Sequence, residues 1–452
     1  MAECIPQLAF SFHPQLAVHV EFDAPEISSD GGLLLLRQLD DRLGLTAGFA
    51  GCLPDERQPA RVVHDRHEQA RQRIFQVALG YADCNDADSL RHDPLLKTVC
   101  NRSLQDPVGL SSQPTLSRFE NAPDGATLRQ LMRWMETSYV ESLPADTEVV
   151  ILDIDATDDE IHGAQQLSFF NRYYDHKIYH PLLVYDGDSG ELITALLRPG
   201  NTHASRGAGA LLRRLIGEIK RRFPDVSIVV RGDAGFATPY LMAEIERLDT
   251  ELGEVKFLCG LAKNPTVKRL AGPTIDCAQR LYECSQAPVQ RFTSFSYAAG
   301  SWPHERRVIA KAEHSSKGAN PRFLVTTIEG FDAETLYRAY CQRGQCENWI
   351  KDFKNALQAD RLSCSSFAAN FFRLLLHAAA YRLMHALRRK VAQNSYQLGR
   401  AQFDTLRLRL LKVAAMVSQS TRRILIRLPR AYVFRQLFWQ LAARLNAPPT
   451  PA

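Results

Sequence analysis

The sequence predicts an α/β fold, with a strand-rich centre between mostly helical regions at either end. Three observations predict it. From Thr147 the texture turns from helical to extended, beginning with the apolar run Glu148-Val-Val-Ile-Leu-Asp-Ile-Asp155. Strand-like and amphipathic helical segments then alternate as far as Leu261. No Gly-x-Gly-x-x-Gly follows the first strand, so a dinucleotide-cofactor fold has little support.

Residues 1–145 read as an N-terminal helical, DNA-binding region. Ser28-Ser-Asp-Gly-Gly32 precedes an apolar run and predicts a capped helix start, and Gln69 to Gly80 is a second amphipathic helix. Ser111 to Glu120 fits the short second helix of a helix-turn-helix, with Gln113, Thr115 and Arg118 facing DNA; a surface helix with Pro in its first turn fits equally. The centre offers strands at Glu148–Asp155, Lys177–Tyr185 and Glu191–Leu197, the last two joined by Asp186-Gly-Asp-Ser-Gly190, which has hairpin-turn chemistry. A helix from Ala208 to Phe223, a strand from Val226 to Arg231, a helix from Pro239 to Leu248 and a strand from Val255 to Leu261 follow. Three strands, helix, strand, helix, strand is the order of a ribonuclease-H-like core, which would occupy 146–263 and 332–362. Short alternating runs at Val289–Tyr297, Arg306–Ala312 and Arg322–Ile328 predict a β-rich insertion over 264–331. A basic helical region over 363–452 completes the chain and ends in a Pro-rich stretch from Ala447 that should fray.

Bulk properties narrow the function. The chain has 452 residues, 45% of them hydrophobic, enough for two or three domains with cores. The start Met-Ala-Glu-Cys-Ile-Pro lacks a secretory pattern, and the most apolar run, Phe371 to Ala380, is broken by Arg373 and His377. A cytoplasmic protein with no membrane partner is expected. The ten cysteines show no Cys-x-x-Cys pair, which predicts reduced thiols. The net charge of +5 hides an asymmetry: from Arg361 onward there are sixteen Lys or Arg residues and one acid, Asp404. Residues 1–360 therefore stand at −10. A basic end on an acidic body is an electrostatic footprint for a polyanion.

The chemistry concentrates in Tyr340-Cys-Gln-Arg-Gly-Gln-Cys-Glu-Asn-Trp-Ile-Lys-Asp-Phe-Lys354. At about 100° per residue, Tyr340, Arg343, Glu347, Lys351 and Lys354 share one helical face. A solvated salt-bridge face would alternate signs; here one acid sits among groups suited to phosphate. Two more acids stand at strand ends: Asp155 after the first strand, and Asp233 in Gly232-Asp-Ala-Gly235 after the fourth. Carboxylates so placed can converge on two Mg²⁺ ions about 4 Å apart, Mn²⁺ being an alternative. The first acid is open between Asp153 and Asp155, which share one side of a strand of period two. Asp155 is favoured because the strand opens there.

Asp155-Ala-Thr157, Arg231-Gly-Asp-Ala-Gly-Phe236 and Tyr340-x2-Arg343-x3-Glu347-x6-Lys354 resemble the signature of bacterial insertion-sequence transposases of the Asp-Asp-Glu (DDE) type. The last motif resembles the Tyr-Arg-Glu-Lys group, which carries a β-strand insertion before the catalytic Glu. His162-Gly-x-Gln165, Leu197-Arg-Pro-Gly-Asn201 and Gln113-Pro-Thr-Leu-Ser-Arg118 are also similar, and the likeness runs over roughly residues 20–440. The resemblance implies a nucleoid-associated enzyme that binds terminal inverted repeats, frees a 3′-hydroxyl and joins it to target DNA. Asp155, Asp233 and Glu347 would be catalytic and metal-binding. Tyr340, Arg343, Lys351 and Lys354 would grip phosphates. Trp302 or Trp349 would stack on a flipped base, or simply pack. Synapsis of two ends implies a homodimer. A metal-dependent nuclease on the same core, and a silent transposase-derived repressor, are the competing readings.

Overall fold

The computed structural model describes residues 8–447, so the start read for a targeting signal and all but Ala447 of the Pro-rich end lie outside the described residues. The chain forms two compact units. One comprises Cys52–Pro54 and Glu120–His385; the other comprises the described residues of Met1–Gly51, Asp55–Phe119 and Ala386–Ala452.

The Glu120–His385 unit is built on a large mixed sheet. Its main strands are β1 (Val149–Ala156), β2 (Leu182–Asp186), β3 (Leu192–Leu196), β4 (Ser227–Gly232), β5 (Val255–Leu261), β6 (Val289–Tyr297), β7 (Arg306–Ser315) and β8 (Arg322–Thr326), with the short Gly318–Ala319 paired to β7. Their spatial order is β6-β7-β8-β5-β4-β1-β2-β3. β4 lies between β1 and β5 and runs parallel to both. All other neighbours are antiparallel. Such central strands are buried on both faces, hence the near-continuous Val, Ile and Leu of β1 and β4. Helices α1 (Ala208–Arg222) and α2 (Pro239–Leu252) make the crossovers that parallel pairing requires. Thr238 caps α2 and Pro239 starts it, as sequence patterning suggests.

Three features differ from the sequence reading. Lys177–Tyr185 is not one strand. His176–Tyr179 pairs in a small separate sheet with Asp159–Glu160 and Phe169–Asn171, and only Leu182–Asp186 joins the large one. The break falls at Pro181, which has no N–H for a ladder, and at His180, whose N–H donates to the Arg198 carbonyl at 3.0 Å. The insertion, secondly, begins with helices Pro265–Leu270 and Gly272–Ser285, and its strands do not stand apart. β8 pairs with β5, with Leu261 opposite Phe323, and satisfies backbone groups that an edge strand would leave open.

Thirdly, the basic C-terminal region is not all helical. Ala415–Gln419 and Ile424–Arg427 form a hairpin that Ile27–Ser28 extends. In the same unit the helix Leu33–Leu43 starts at Gly32 without a side-chain cap. The two glycines serve close approach instead: a Cβ on Gly32 would stand 2.0 Å from the Leu410 carbonyl oxygen. The second amphipathic helix runs Arg66–Ala78, capped by Asp65, and the candidate recognition helix runs Gln113–Asn121. No described helix is long and apolar enough to cross a membrane.

Candidate active site

The parallel ends of β1 and β4 fix two acids side by side. Asp153 is the register partner of Arg231, which puts Asp233 level with Asp155. Asp155 accepts from the Ala156 amide at 2.8 Å, and Asp233, exposed, accepts from the Gly235 amide at 2.8 Å. Gly260 on β5 closes the floor beneath the turn: a Cβ there would lie 2.9 Å from both the Ala234 amide nitrogen and the Tyr340 hydroxyl.

The signature segment is two helices, α3 (Ala333–Cys341) and α4 (Gly344–Lys351), rather than one. Between them Arg343 N bonds Tyr340 O at 3.0 Å and Cys346 N bonds Arg343 O at 2.8 Å, tight three-residue turns around Gly344. Leu336 packs with Leu258, Ile309 and Leu324 and anchors α3 on β5, β7 and β8. Buried Cys346 anchors α4. Beyond it, Leu357 N reaches Asp352 O at 3.2 Å, a widened turn that shifts the phase before Lys354. The common face expected for five residues is therefore split.

What converges is more specific. Arg343 Nη2 donates to Asp155 Oδ2 at 2.8 Å, with both side chains nearly buried. Burial pushes the Asp155 carboxyl up to about 6; Arg343 opposes that, while the charges of Asp233 and Glu347 add to it. Glu347 is exposed in the first turn of α4. The helix dipole favours a carboxylate there. Burial likewise pushes the Tyr340 phenol up to about 12, with Asp233 and Asp155 among its neighbours. Lys354 Nζ lies 3.3 Å from Thr157 Oγ1 and 3.2 Å from Asp158 Oδ1, so it clamps the chain just past β1. Lys351 is exposed.

Asp153 and Asp155 do share a side, but not an environment. Asp153 is fully buried and takes Arg231 on both oxygens, at 2.7 and 2.8 Å. Arg231 donates in turn to the Ala339 carbonyl at 2.8 Å, tying α3 to β1 and β4. The sequence carried a signal for this pair: an arginine inside the apolar run of β4 demands a buried counter-ion. Trp349 packs over Gly190, where a Cβ would meet its ring at 2.6 Å, and beside Tyr185 at 5.6 Å. Trp302 packs against Tyr297 at 5.3 Å and under Arg306. Arg118, in the other unit, is exposed on its helix and bonds Thr115 at 3.3 Å.

The carboxylate oxygens of Asp155, Asp233 and Glu347 are hard donors of the kind that would suit Mg²⁺ or Mn²⁺ and not a thiolate metal. Among the described residues no three His, Cys, Asp or Glu side chains are gathered closely enough to hold an ion as they stand. Arg343 holds the place of a cation on Asp155. A hard divalent ion at Asp155 would have to take the place of that guanidinium.

The mixed α/β sheet thus carries acids at the ends of two adjacent strands and a third on the helix with Lys351. The chain belongs to the family described as transposase DDE domain group 1, whose model matches residues 10–450. It is thus a DDE transposase by family. Comparison with curated proteins finds no match. Among solved structures the chain is similar to a piggyBac transposase in a synaptic complex with hairpin DNA, at 11% identity and a TM-score of 0.42, over 94% of this chain and 87% of that one.

Proposed function

We propose that this protein is the DNA transposase of a bacterial insertion sequence, of the Tyr-Arg-Glu-Lys group, acting in the cytoplasm at the nucleoid. It binds the terminal inverted repeats of its element as a homodimer, cleaves to free 3′ ends and transfers them into target DNA. The observation that carries this reading is the juxtaposition of Asp155 and Asp233 with a helix whose Arg343 already engages Asp155. The order of elements supports a ribonuclease-H-like core around them.

Asp155, Asp233 and Glu347 would hold two Mg²⁺ ions, or Mn²⁺; Asp153 is committed to Arg231 and takes no ligand role. Ions bound there supply charge neutralisation at the reacting phosphodiester. Arg343, released from Asp155, offers a planar fork to a phosphate. Tyr340, its hydroxyl over the Asp233 turn, orients the strand. Lys354 fixes the loop after Asp155, and exposed Lys351 contacts the backbone as a point charge. The basic residues after Arg361 supply salt-sensitive affinity for phosphates.

The test incubates purified protein with Mg²⁺, a labelled element end and a target plasmid. Joined products should appear and should vanish in Glu347→Gln, Asp233→Asn and Asp155→Asn. Joining by Glu347→Gln would sink the reading, and cutting without joining would leave a nuclease instead.

A further inference from the structure

At the opposite end of the sheet from the acids, where β1, β4 and β5 begin, lies a groove of about 950 Å³. Val149, at its lining, and Asp155 are separated by roughly 20 Å of strand. The apolar part of the lining includes Val149, 48% exposed, half-buried Val229 and Ile328, and Phe331, 57% exposed. The charged part sets five carboxylates against Lys256, Arg306 and Arg307.

Some of these charges hold the walls together. Asp249 takes Lys256 at 2.6 Å, and Glu246 takes Arg306 on both oxygens at 2.6 and 2.7 Å. Arg307 donates to the Ile328 and Phe331 carbonyls at 3.2 and 2.7 Å and fixes the rim. The others are uncommitted. Glu254, Glu305 and Glu329 are exposed, and among the described residues none of them joins an ion pair. Arg306 is only 4% exposed, yet its Nη1 has no hydrogen-bond partner among the described residues. The Trp302 ring covers one face of that guanidinium at 5.2 Å and takes no in-plane N–H. A buried donor left unpaired costs free energy and is relieved by an acceptor.

The groove therefore suits a ligand with positive charge for the three free carboxylates and an acceptor for Arg306 Nη1. Nucleic acid supplies acceptors but brings the wrong charge. An aliphatic polyamine brings the charge and no acceptor. A polypeptide with Lys or Arg side chains has both, together with apolar side chains to cover Val149 and Phe331. We propose that this groove docks an extended, basic segment of a partner protein, held by Glu254, Glu305 and Glu329 and by a backbone carbonyl on Arg306. Thr335, Leu336 and Ala339 of α3 belong to the same lining, so the segment lies against the helix that carries Tyr340 and leaves Asp155 and Asp233 free.

The test follows the fluorescence polarisation of a labelled short peptide of alternating Arg and Leu on the full chain at physiological ionic strength. Wild type should bind it roughly tenfold more tightly than the same peptide with Glu in place of Arg. Glu305→Gln/Glu329→Gln should weaken binding about tenfold. Val149→Trp, which fills the groove without altering its charge, should abolish it. Unchanged melting temperatures would show both variants folded. Glu56→Gln/Asp276→Asn removes exposed acids elsewhere and should leave the affinity as it is. No binding by wild type overturns the proposal, as does binding that survives Val149→Trp. An equal loss in Glu56→Gln/Asp276→Asn would reduce the attraction to general electrostatics and overturn it too. So would displacement of the peptide by an equal concentration of spermidine, which makes the groove a polyamine site, or a dimer that the peptide splits, which seats a second copy there.

Discussion

Arg343 donates to Asp155 at 2.8 Å across 188 residues of sequence. The pair is a counter-ion bond inside a pocket that raises the Asp155 carboxyl to about 6. A carboxyl raised in the folded state binds its proton more tightly there than in the unfolded chain. Its contribution to stability is therefore full below the unfolded value of about 4 and is lost as pH rises through about 6. Arg343→Ala removes the charge that opposes that rise and leaves only the Ala156 amide against it. The variant should lose about 3 kcal/mol at pH 8 and much less at pH 5. Urea unfolding at the two pH values checks this, and a loss of equal size at both would contradict it.

Asp153 and Asp155 should separate cleanly on mutation. Asp153→Asn leaves Arg231 in the core without a charge partner and should cost about 3–5 kcal/mol. Asp155→Asn strips Arg343 of its partner but also removes a carboxylate that burial disfavours, so its cost should be well below that of Asp153→Asn while DNA joining disappears. The reverse pattern would mean that Asp153 is the ligand.

Divalent ions need Asp155 ionised. With its carboxyl near 6, Mn²⁺ affinity should fall roughly tenfold between pH 7 and pH 5. Calorimetric titration of the full chain measures it. Asp155→Asn should bind weakly at both pH values, and an unchanged wild-type affinity would rule out Asp155 as a ligand.

Gly260 is a residue whose importance lies in what it lacks. A methyl there meets the Tyr340 hydroxyl and the Ala234 amide at 2.9 Å, so Gly260→Ala must displace the phenol or the Asp233 turn. The expected cost is about 1–3 kcal/mol, together with most of the joining activity. Tyr340→Phe relieves the hydroxyl half of the clash, so the double variant should regain part of the stability without regaining activity. A double variant as unstable as Gly260→Ala would place the clash elsewhere.

Much of this architecture was legible locally. Strands β1 and β3 to β5 with helices α1 and α2 follow from periodicity, and Asp155, Asp233 and Glu347 stand out by position. What escaped was non-local. The pairing of β8 with β5 depends on chain returning from a long excursion, and no pattern within either strand encodes it. The Asp153–Arg231 pair joins neighbouring strands 78 residues apart. Lys354 was assigned to phosphate from motif and spacing alone, and its hold on Thr157 and Asp158 could be seen only once the widened turn after α4 had rotated it. The hairpin at Arg427 was missed because arginine content outweighed the alternation of Val417, Ile424 and Ile426.

The β5–β8 pairing also bears on how this chain can vary. The polypeptide leaves the sheet at Leu261 and re-enters at Arg322 on the adjoining strand, with Leu261 and Phe323 face to face. Everything between is a detour whose two ends are stitched together. Its strand β7 supports α3 through Ile309 and Leu336, but the segments of the detour outside β6 and β7 can lengthen or shorten without moving α4 or Glu347. The number of residues between the second and third acids is thus no ruler for the distance between them.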